Sequence, residues 1–156
     1  MSKSKRLISK ALTLVAMASF LLSGLSFAAA IQDGDNLNIG QYRIVKSSIL
    51  DEDRPLSIYV PSGYEGGADN YPVLYVLYGE GKINVMLAAS TMEILDGLSR
   101  CPQMIVVGIH STDSPRDHFP TEVARRPGSG GSDKFLDCIT EEIVPWVEAN
   151  YRTQPY

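Results

Sequence analysis

The sequence predicts an α/β fold in which an antiparallel hairpin leads into a mostly parallel sheet with flanking helices. Two continuous apolar runs, residues 73–77 and 104–109, are typical of strands buried on both faces, as in parallel sheets. Between them, apolar residues recur at three- and four-residue spacing from Val85 to Leu98, which is the pattern of an amphipathic helix. Strands alternating with helices favour a parallel sheet with helices on its faces.

The hairpin precedes the buried runs. Residues 42–48 form the first predicted strand, and residues 56–60 form the second because apolar and polar side chains alternate there. Residues 50–54 between them are acidic and turn-like, so the two strands are expected to pair antiparallel. The polar residues 31–40 are expected to be a flexible lead-in.

The last predicted elements are a loop and a helix. Residues 110–131 are rich in Pro, Gly and charge, and irregular loops of that length inside a domain are usually functional. Ser132 is a good cap for a helix whose apolar side chains are Phe135, Ile139, Ile143, Trp146 and Val147. Pro145 is expected to kink this helix, since its ring displaces the carbonyl of Glu141.

The first 30 residues have the three parts of a secretory signal peptide. A basic stretch precedes an apolar run at residues 11–25, and small residues follow at positions 28–30. We therefore predict cleavage after Ala30 and a periplasmic or secreted protein. The alternative is an uncleaved membrane anchor, but the apolar run is shorter than the about 20 residues that a membrane-spanning helix needs.

Charge and cysteine content limit the partners of the exported protein. The predicted signal peptide holds four of the 14 basic residues, so the remainder has 10 basic and 18 acidic residues and a formal charge of −8. Nucleic acid is not an expected partner, because phosphate binding needs basic residues in excess, and no membrane association is expected after signal removal. Cys101 and Cys138 either pair in the oxidising compartment or remain two buried thiols.

Two motifs for catalysis or phosphate binding are missing. The sequence has no Gly-x-Ser-x-Gly, the turn that carries the nucleophile in many α/β enzymes. Ser129 comes closest, but Pro127 stands at the first glycine position and no apolar strand precedes it. We interpret residues 127–131 as a hinge and helix lead-in. They also do not match a phosphate-binding loop.

Two segments that follow the buried runs are candidates for binding. Four titratable side chains fall within nine residues of one loop: His110, Asp113, Asp117 and His118. Their spacing matches no zinc motif, so neither a metal nor another cofactor is predicted. Loops at the carboxyl ends of parallel strands bind ligands, which makes Arg116 a candidate contact for an anionic or hydroxyl-bearing substrate. At residues 78–81, backbone amides that face a developing oxyanion and a plain turn are equally compatible with the sequence.

Seven segments match a known family in order: residues 54–64, 71–80, 104–109, 116–117, 130–135, 142–147 and 151–153. Together they resemble the Putative esterase family of α/β-hydrolases, which includes esterase D, enterochelin esterases, feruloyl esterase domains and mycolyltransferases. The resemblance runs from about Gln41 to Tyr156. It implies an incomplete α/β-hydrolase fold over residues 41–156, truncated before the nucleophile elbow.

The resemblance also implies site residues. In the family, the segment similar to residues 151–153 leads into the strand with the nucleophilic serine, and the acid and histidine come later, so no triad residue is assigned here. Gly79 and Glu80 are implied as backbone oxyanion donors, with Tyr78 where the family often has Asp. Arg116 and Asp117 are implied pocket-wall residues, and His110 is a further substrate-binding candidate.

We therefore expect the amino-terminal portion of an exported serine carboxylic-ester hydrolase that uses an acyl-enzyme mechanism once complete. The chain as given lacks the triad and is expected to be inactive, with residues 73–77 exposing a hydrophobic edge. A small siderophore ester or a carbohydrate-linked acyl or feruloyl ester is the expected substrate. The alternatives are a non-catalytic exported binding module and a non-functional truncated product.

Overall fold

A mixed four-stranded sheet forms the centre of the structure, a computed structural model that describes residue 33 and residues 38–154. The strands are β1 (Gln41–Ser47), β2 (Glu52–Tyr59), β3 (Val73–Leu77) and β4 (Ile105–Ile109), in the order β1-β2-β4-β3. β1 and β2 are an antiparallel hairpin, β2 and β4 are antiparallel, and β3 and β4 are parallel. The predicted α/β fold with an opening hairpin is confirmed. The predicted signal peptide lies outside the described residues.

Helices cover both faces of this sheet. α1 (Lys82–Gly97) connects β3 to β4 and packs on one face, where Val85 and Ala89 are buried against Val106. The larger cluster lies on the other face and joins alternate β4 side chains, including Ile105 and Val107, to the final helical segment. Every residue of β4 is buried, as its continuous apolar run predicts.

β3 differs from β4 in burial, although both have continuous apolar sequences. Val73 is buried, but Leu77 is 45% exposed, because β3 is the last strand of the described sheet. An isolated parallel bridge joins Tyr71, just before β3, to Thr153. The prediction that β3 is buried on both faces is therefore wrong for the described residues, and Leu77 is the residue of this strand that is exposed.

Three short helical segments complete the fold. α2 (Ser114–His118) lies in the loop that the sequence predicts to be irregular, and the Asp113 carboxylate caps it by accepting the Arg116 N–H. α3 (Ser132–Asp137), a π-helical turn (Cys138–Ile143) and α4 (Val144–Asn150) follow as one continuous run.

The π-helical turn is how the chain accommodates Pro145. The Val144 N–H donates to the Ile139 carbonyl, five residues back, immediately before the proline. Pro145, which is expected to disturb this helix, thus comes just after a turn whose backbone hydrogen bonds span five residues.

Leu98, predicted on the buried face of α1, is the residue after the helix and is exposed. Among the described residues, no helix is both long and apolar enough to cross a membrane.

Candidate active site

The candidate residues meet at one end of the sheet, where β3 and β4 end and β2 begins. β3 and β4 are parallel with Leu77 opposite Ile109, so the turn after β3 and His110 after β4 lie side by side. β2 runs the other way, and it places Ser57 opposite Gly108 of β4. The sheet topology thus brings together three segments that are distant in sequence.

Tyr78 begins the turn after β3 in a left-handed backbone conformation, with φ of +57°. That conformation is unfavourable for a bulky residue. Two contacts support it: the Tyr78 ring stacks on His118 with ring centroids 4.2 Å apart, and the Tyr78 carbonyl accepts a 2.9 Å hydrogen bond from the Asn84 side chain. The turn therefore has a fixed shape even though Tyr78 is partly exposed.

Gly79 lies directly against the backbone of β4. A Cβ at this position would lie 2.6 Å from the Gly108 Cα, so only glycine fits without displacing the backbone. The Gly79 N–H donates to the Ile109 carbonyl at 2.8 Å. The Gly79 amide is thus engaged by the sheet, and its expected role as an oxyanion donor stays a prediction.

Glu80 retains the second expected donor. Its backbone N–H makes no hydrogen bond within the described part of the chain. Its carboxylate is turned toward the loop after β4, where it accepts the Ser111 N–H at 2.9 Å. Among the described residues, Glu80 is thus the candidate of this turn whose backbone amide has no partner, and its role as an oxyanion donor stays a prediction.

His110 is half-buried and lies beneath this turn. Its Nε2 is 2.8 Å from the Ser57 Oγ, and the Ser57 Oγ is 3.3 Å from the Gly79 carbonyl oxygen. The Tyr42 ring meets the imidazole edge-on. Burial lowers the pKa of His110 below its usual 6.5, and nearby Arg54 lowers it further, against the opposing effect of the Glu80 carboxylate. A neutral imidazole is therefore favoured at neutral pH.

Arg116 and Asp117 belong to a charged cluster with Arg54 and Glu52. Arg54 and Asp117 are fully buried and paired at 2.8 Å, and Arg54 also pairs with Glu52. Arg116 bonds both Glu52 oxygens, at 2.9 and 3.0 Å, as well as Asp117 Oδ1 at 2.7 Å. These hydrogen bonds to Glu52, together with the Asp117 carboxylate, raise the pKa of Arg116. Substrate contact by Arg116, Asp117 or His110 stays a prediction, and the contacts seen are within the protein.

Two residues of this region are missed by sequence reasoning. Arg54 reads as a turn residue and Ser57 as a polar side chain of an alternating strand, but both make contacts with residues more than 20 positions away.

Ser129 is buried and its Oγ accepts the Val123 N–H, which makes it part of a loop turn. Cys101 and Cys138 are free thiols. In the described residues, no group of three or more His, Cys, Asp or Glu side chains is placed to hold a metal ion.

A profile of the family described as "Putative esterase" matches residues 47–156. The chain belongs to this family. The match includes the turn after β3, the charged cluster and the final helical run, so the site described above lies within the matched family region. No curated protein matches the chain.

Solved structures of a serine hydrolase and of esterases are similar to the chain over part of their length. An IroE-like serine hydrolase from Shewanella oneidensis is 32% identical with a TM-score of 0.62, over 73% of this chain and 39% of that one. A CE1 ferulic acid esterase from Anaeromyces mucronatus is 22% identical with a TM-score of 0.59, over 80% of this chain and 47% of that one. The enterobactin esterase from Shigella flexneri is 18% identical with a TM-score of 0.56, over 75% and 28%. The last two likenesses show the fold, and the chain spans less than two thirds of each structure.

Proposed function

We propose that this chain is the amino-terminal portion of an exported serine hydrolase that cleaves carboxylic esters through an acyl-enzyme intermediate. The observation that carries the proposal is the Glu80 amide at the carboxyl end of β3, which has no hydrogen-bond partner among the described residues, inside a chain that belongs to an esterase family. In such enzymes a backbone amide after this strand stabilises the tetrahedral oxyanion, and a second donor follows the nucleophile.

The described residues supply only one part of this mechanism. The Glu80 N–H would bind the carbonyl oxygen of the ester as it becomes negatively charged. The nucleophile, the base and the acid would come from polypeptide beyond this chain, as the partial coverage of the similar structures supports. Without them, only weak catalysis from binding and the oxyanion donor would remain, so the chain alone is expected to be inactive.

The substrate class follows from the similar proteins and from predicted export. A ferulic acid esterase and an enterobactin esterase are among the structures with the same fold. A small-molecule siderophore ester or a carbohydrate-linked acyl or feruloyl ester is the substrate class that suits an exported member of this family. The negative charge expected for the exported chain agrees with a substrate other than nucleic acid.

The test is the intact mass of the gene product from its native host, with hydrolysis of 4-nitrophenyl acetate by the same material. A mass near twice that of this chain, together with turnover, supports the proposal. A mass that matches residues 31–156 with no turnover contradicts it and leaves a binding module or an inactive product. The matched control is residues 1–156 expressed alone, which should show no turnover above buffer.

A further inference from the structure

We propose that Ser57 and His110 are positioning residues that fix the direction of the Glu80 N–H through the carbonyl of Gly79. The inference rests on the proposed function, because it gives that amide its role as oxyanion donor. It assigns His110 a role within the protein rather than at the substrate. Three groups are linked by two successive hydrogen bonds: the His110 Nε2, the Ser57 Oγ and the Gly79 carbonyl oxygen.

The donor in each of these two hydrogen bonds follows from counting the available protons. The Gly79 carbonyl oxygen can only accept, and the Ser57 hydroxyl has one proton to donate. When that proton goes to Gly79, the 2.8 Å contact between Ser57 and His110 requires the Nε2 to carry a proton and donate to the Ser57 oxygen. His110 therefore holds the serine hydroxyl in the orientation that binds the carbonyl.

The effect on Glu80 follows from the geometry of the peptide bond. The Gly79 carbonyl and the Glu80 N–H belong to the same planar peptide unit, and all described peptide bonds are trans. In a trans peptide the C=O and N–H point in opposite directions. Ser57 binds the carbonyl from the sheet side, so the Glu80 N–H is directed away from the sheet.

Gly79 makes this anchoring necessary. The close approach to Gly108 requires a glycine, and glycine allows the following peptide plane to rotate more freely than any other residue. The Gly79 N–H is held by the Ile109 carbonyl, but that bond fixes only the preceding peptide unit. Among the described residues, Ser57 is the group that holds the Gly79 carbonyl.

The first experiment reads the peptide plane without any substrate. In nuclear magnetic resonance spectra of the gene product from the native host, S57A should shift the Gly79 carbonyl carbon and the Glu80 amide, and S57T, which keeps the hydroxyl, should restore both signals. The His110 Nε2 should carry a proton in the parent chain. S62A is the matched control, because Ser62 is an exposed serine three residues beyond the carboxyl end of β2, and it should leave these signals unchanged.

The second experiment measures catalysis by the gene product from the native host. S57A should lower kcat roughly tenfold with KM changed less than about twofold, because a misdirected oxyanion donor costs less than the about 100- to 1,000-fold of a lost one. H110F keeps a ring of similar size against Tyr42 but cannot donate, and it should cause the same loss of kcat. It is also a second test should S57A fold poorly.

Different results overturn this inference and the proposed function. Unchanged Gly79 and Glu80 signals in both S57A and H110F would overturn the inference, whether or not the protein hydrolyses esters. So would a fall in kcat that S57T does not rescue. An unmodified gene product without esterase activity would instead overturn the proposed function, and the spectra would still decide whether Ser57 and His110 fix the peptide plane.

Discussion

The two ends of the sheet differ in the contacts that their side chains make. We call the end with β1 and β2 the hairpin side, and the end with β3 and α1 the β3–α1 side. On the hairpin side, Arg54 is completely buried, yet it pairs with two carboxylates and its guanidinium lies 5.0 Å from the Phe135 ring. The Glu142 carboxylate reaches from the π-helical turn to the hairpin turn, where it binds Ser47, Ser48 and the Ile49 amide. Most polar groups here have partners within the chain, although the buried Arg54 Nε has none among the described residues.

The β3–α1 side has more exposed apolar side chains than the hairpin side, where Tyr42 and Ile44 of β1 are exposed. Four residues at helical spacing, three on α1 and one directly after it, are more than 60% exposed: Ile83, Leu87, Ile94 and Leu98. Leu77 and Tyr78 at the end of β3 are also exposed. Contiguous exposed apolar surface on a helix and an adjoining strand usually marks a surface that another element covers.

This contrast indicates where the chain is self-sufficient and where it is not. The hairpin, β4 and the final helical run pack on one another, although Tyr42 and Ile44 of β1 are exposed. α1 packs through one face, and β3 packs on both faces of the sheet but is mostly only partly buried. An isolated parallel bridge joins Thr153 to Tyr71, two residues before β3. We expect further polypeptide of the complete protein to cover this side, in agreement with the proposed function.

The largest expected effect is on the hairpin side. R54L removes a buried positive charge and leaves Glu52 and Asp117 to share Arg116, so it should lower the free energy of unfolding by about 3–5 kcal/mol. Urea denaturation measures this change. R125L is the matched control, because Arg125 is exposed, and it should change stability by no more than about 0.5 kcal/mol.

A double variant tests whether the buried pair causes this loss. R54M/D117L replaces both fully buried charges with apolar side chains, so it should be more stable than the two single losses predict. Additive losses in the double variant would contradict the pairing explanation. The Arg54–Asp117 pair would then not explain the stability of the hairpin side.

The second expected effect sharpens the contrast within α1. Val85 is 5% exposed and Leu87 is 66% exposed, two positions apart on the same helix. In residues 1–156 expressed alone, V85A should lower the free energy of unfolding by about 2 kcal/mol from lost burial and packing. L87K in the same protein should lower it by no more than about 0.5 kcal/mol. Thermal or urea unfolding of both variants gives the comparison.

The same pair of variants distinguishes a covered from an uncovered surface. In the gene product from the native host, L87K should become clearly destabilising, by more than about 1 kcal/mol, if further chain packs on this face. If L87K is neutral in that protein as well, the expectation that other polypeptide covers α1 is wrong. V85A should remain destabilising in both proteins.

Local patterns predict elements better than they predict their surroundings. The apolar runs of β3 and β4 predict both strands, but only β4 is buried on both faces, because burial depends on neighbouring strands that five residues do not encode. α2 was missed although Asp113 followed by Pro115 is a helix-start signal. A single turn of helix is too short to show apolar periodicity.

The site shows the same division between local and distant information. The family resemblance places Gly79 and Glu80 in the turn after β3, but the engagement of the Gly79 amide follows from its contact with β4, about 30 residues later. Arg54 and Ser57 have no distinguishing local pattern, since their partners lie 63 and 53 positions away. Such contacts depend on strand order, which the sequence indicates only in outline.

The smallest expected effect is the pH dependence of Glu142. Burial raises the pKa of this carboxylate, but hydrogen bonds from Ser47, Ser48 and two backbone amides outweigh it and lower the pKa to about 2. The folded state thus holds the Glu142 proton less tightly than the unfolded state. The resulting stability is present above about pH 4.5 and is lost as the pH falls toward 2.

E142Q should therefore destabilise the protein by about 1 kcal/mol at pH 7, a modest value because solvent screens a partly exposed carboxylate. The difference from the parent chain should shrink between pH 4.5 and pH 2, as the parent becomes protonated. E141Q is the matched control, since Glu141 is an exposed neighbour on the same turn, and it should show no such pH dependence. An equal loss for E142Q at pH 7 and near pH 2 would show that packing, rather than charge, joins the π-helical turn to the hairpin.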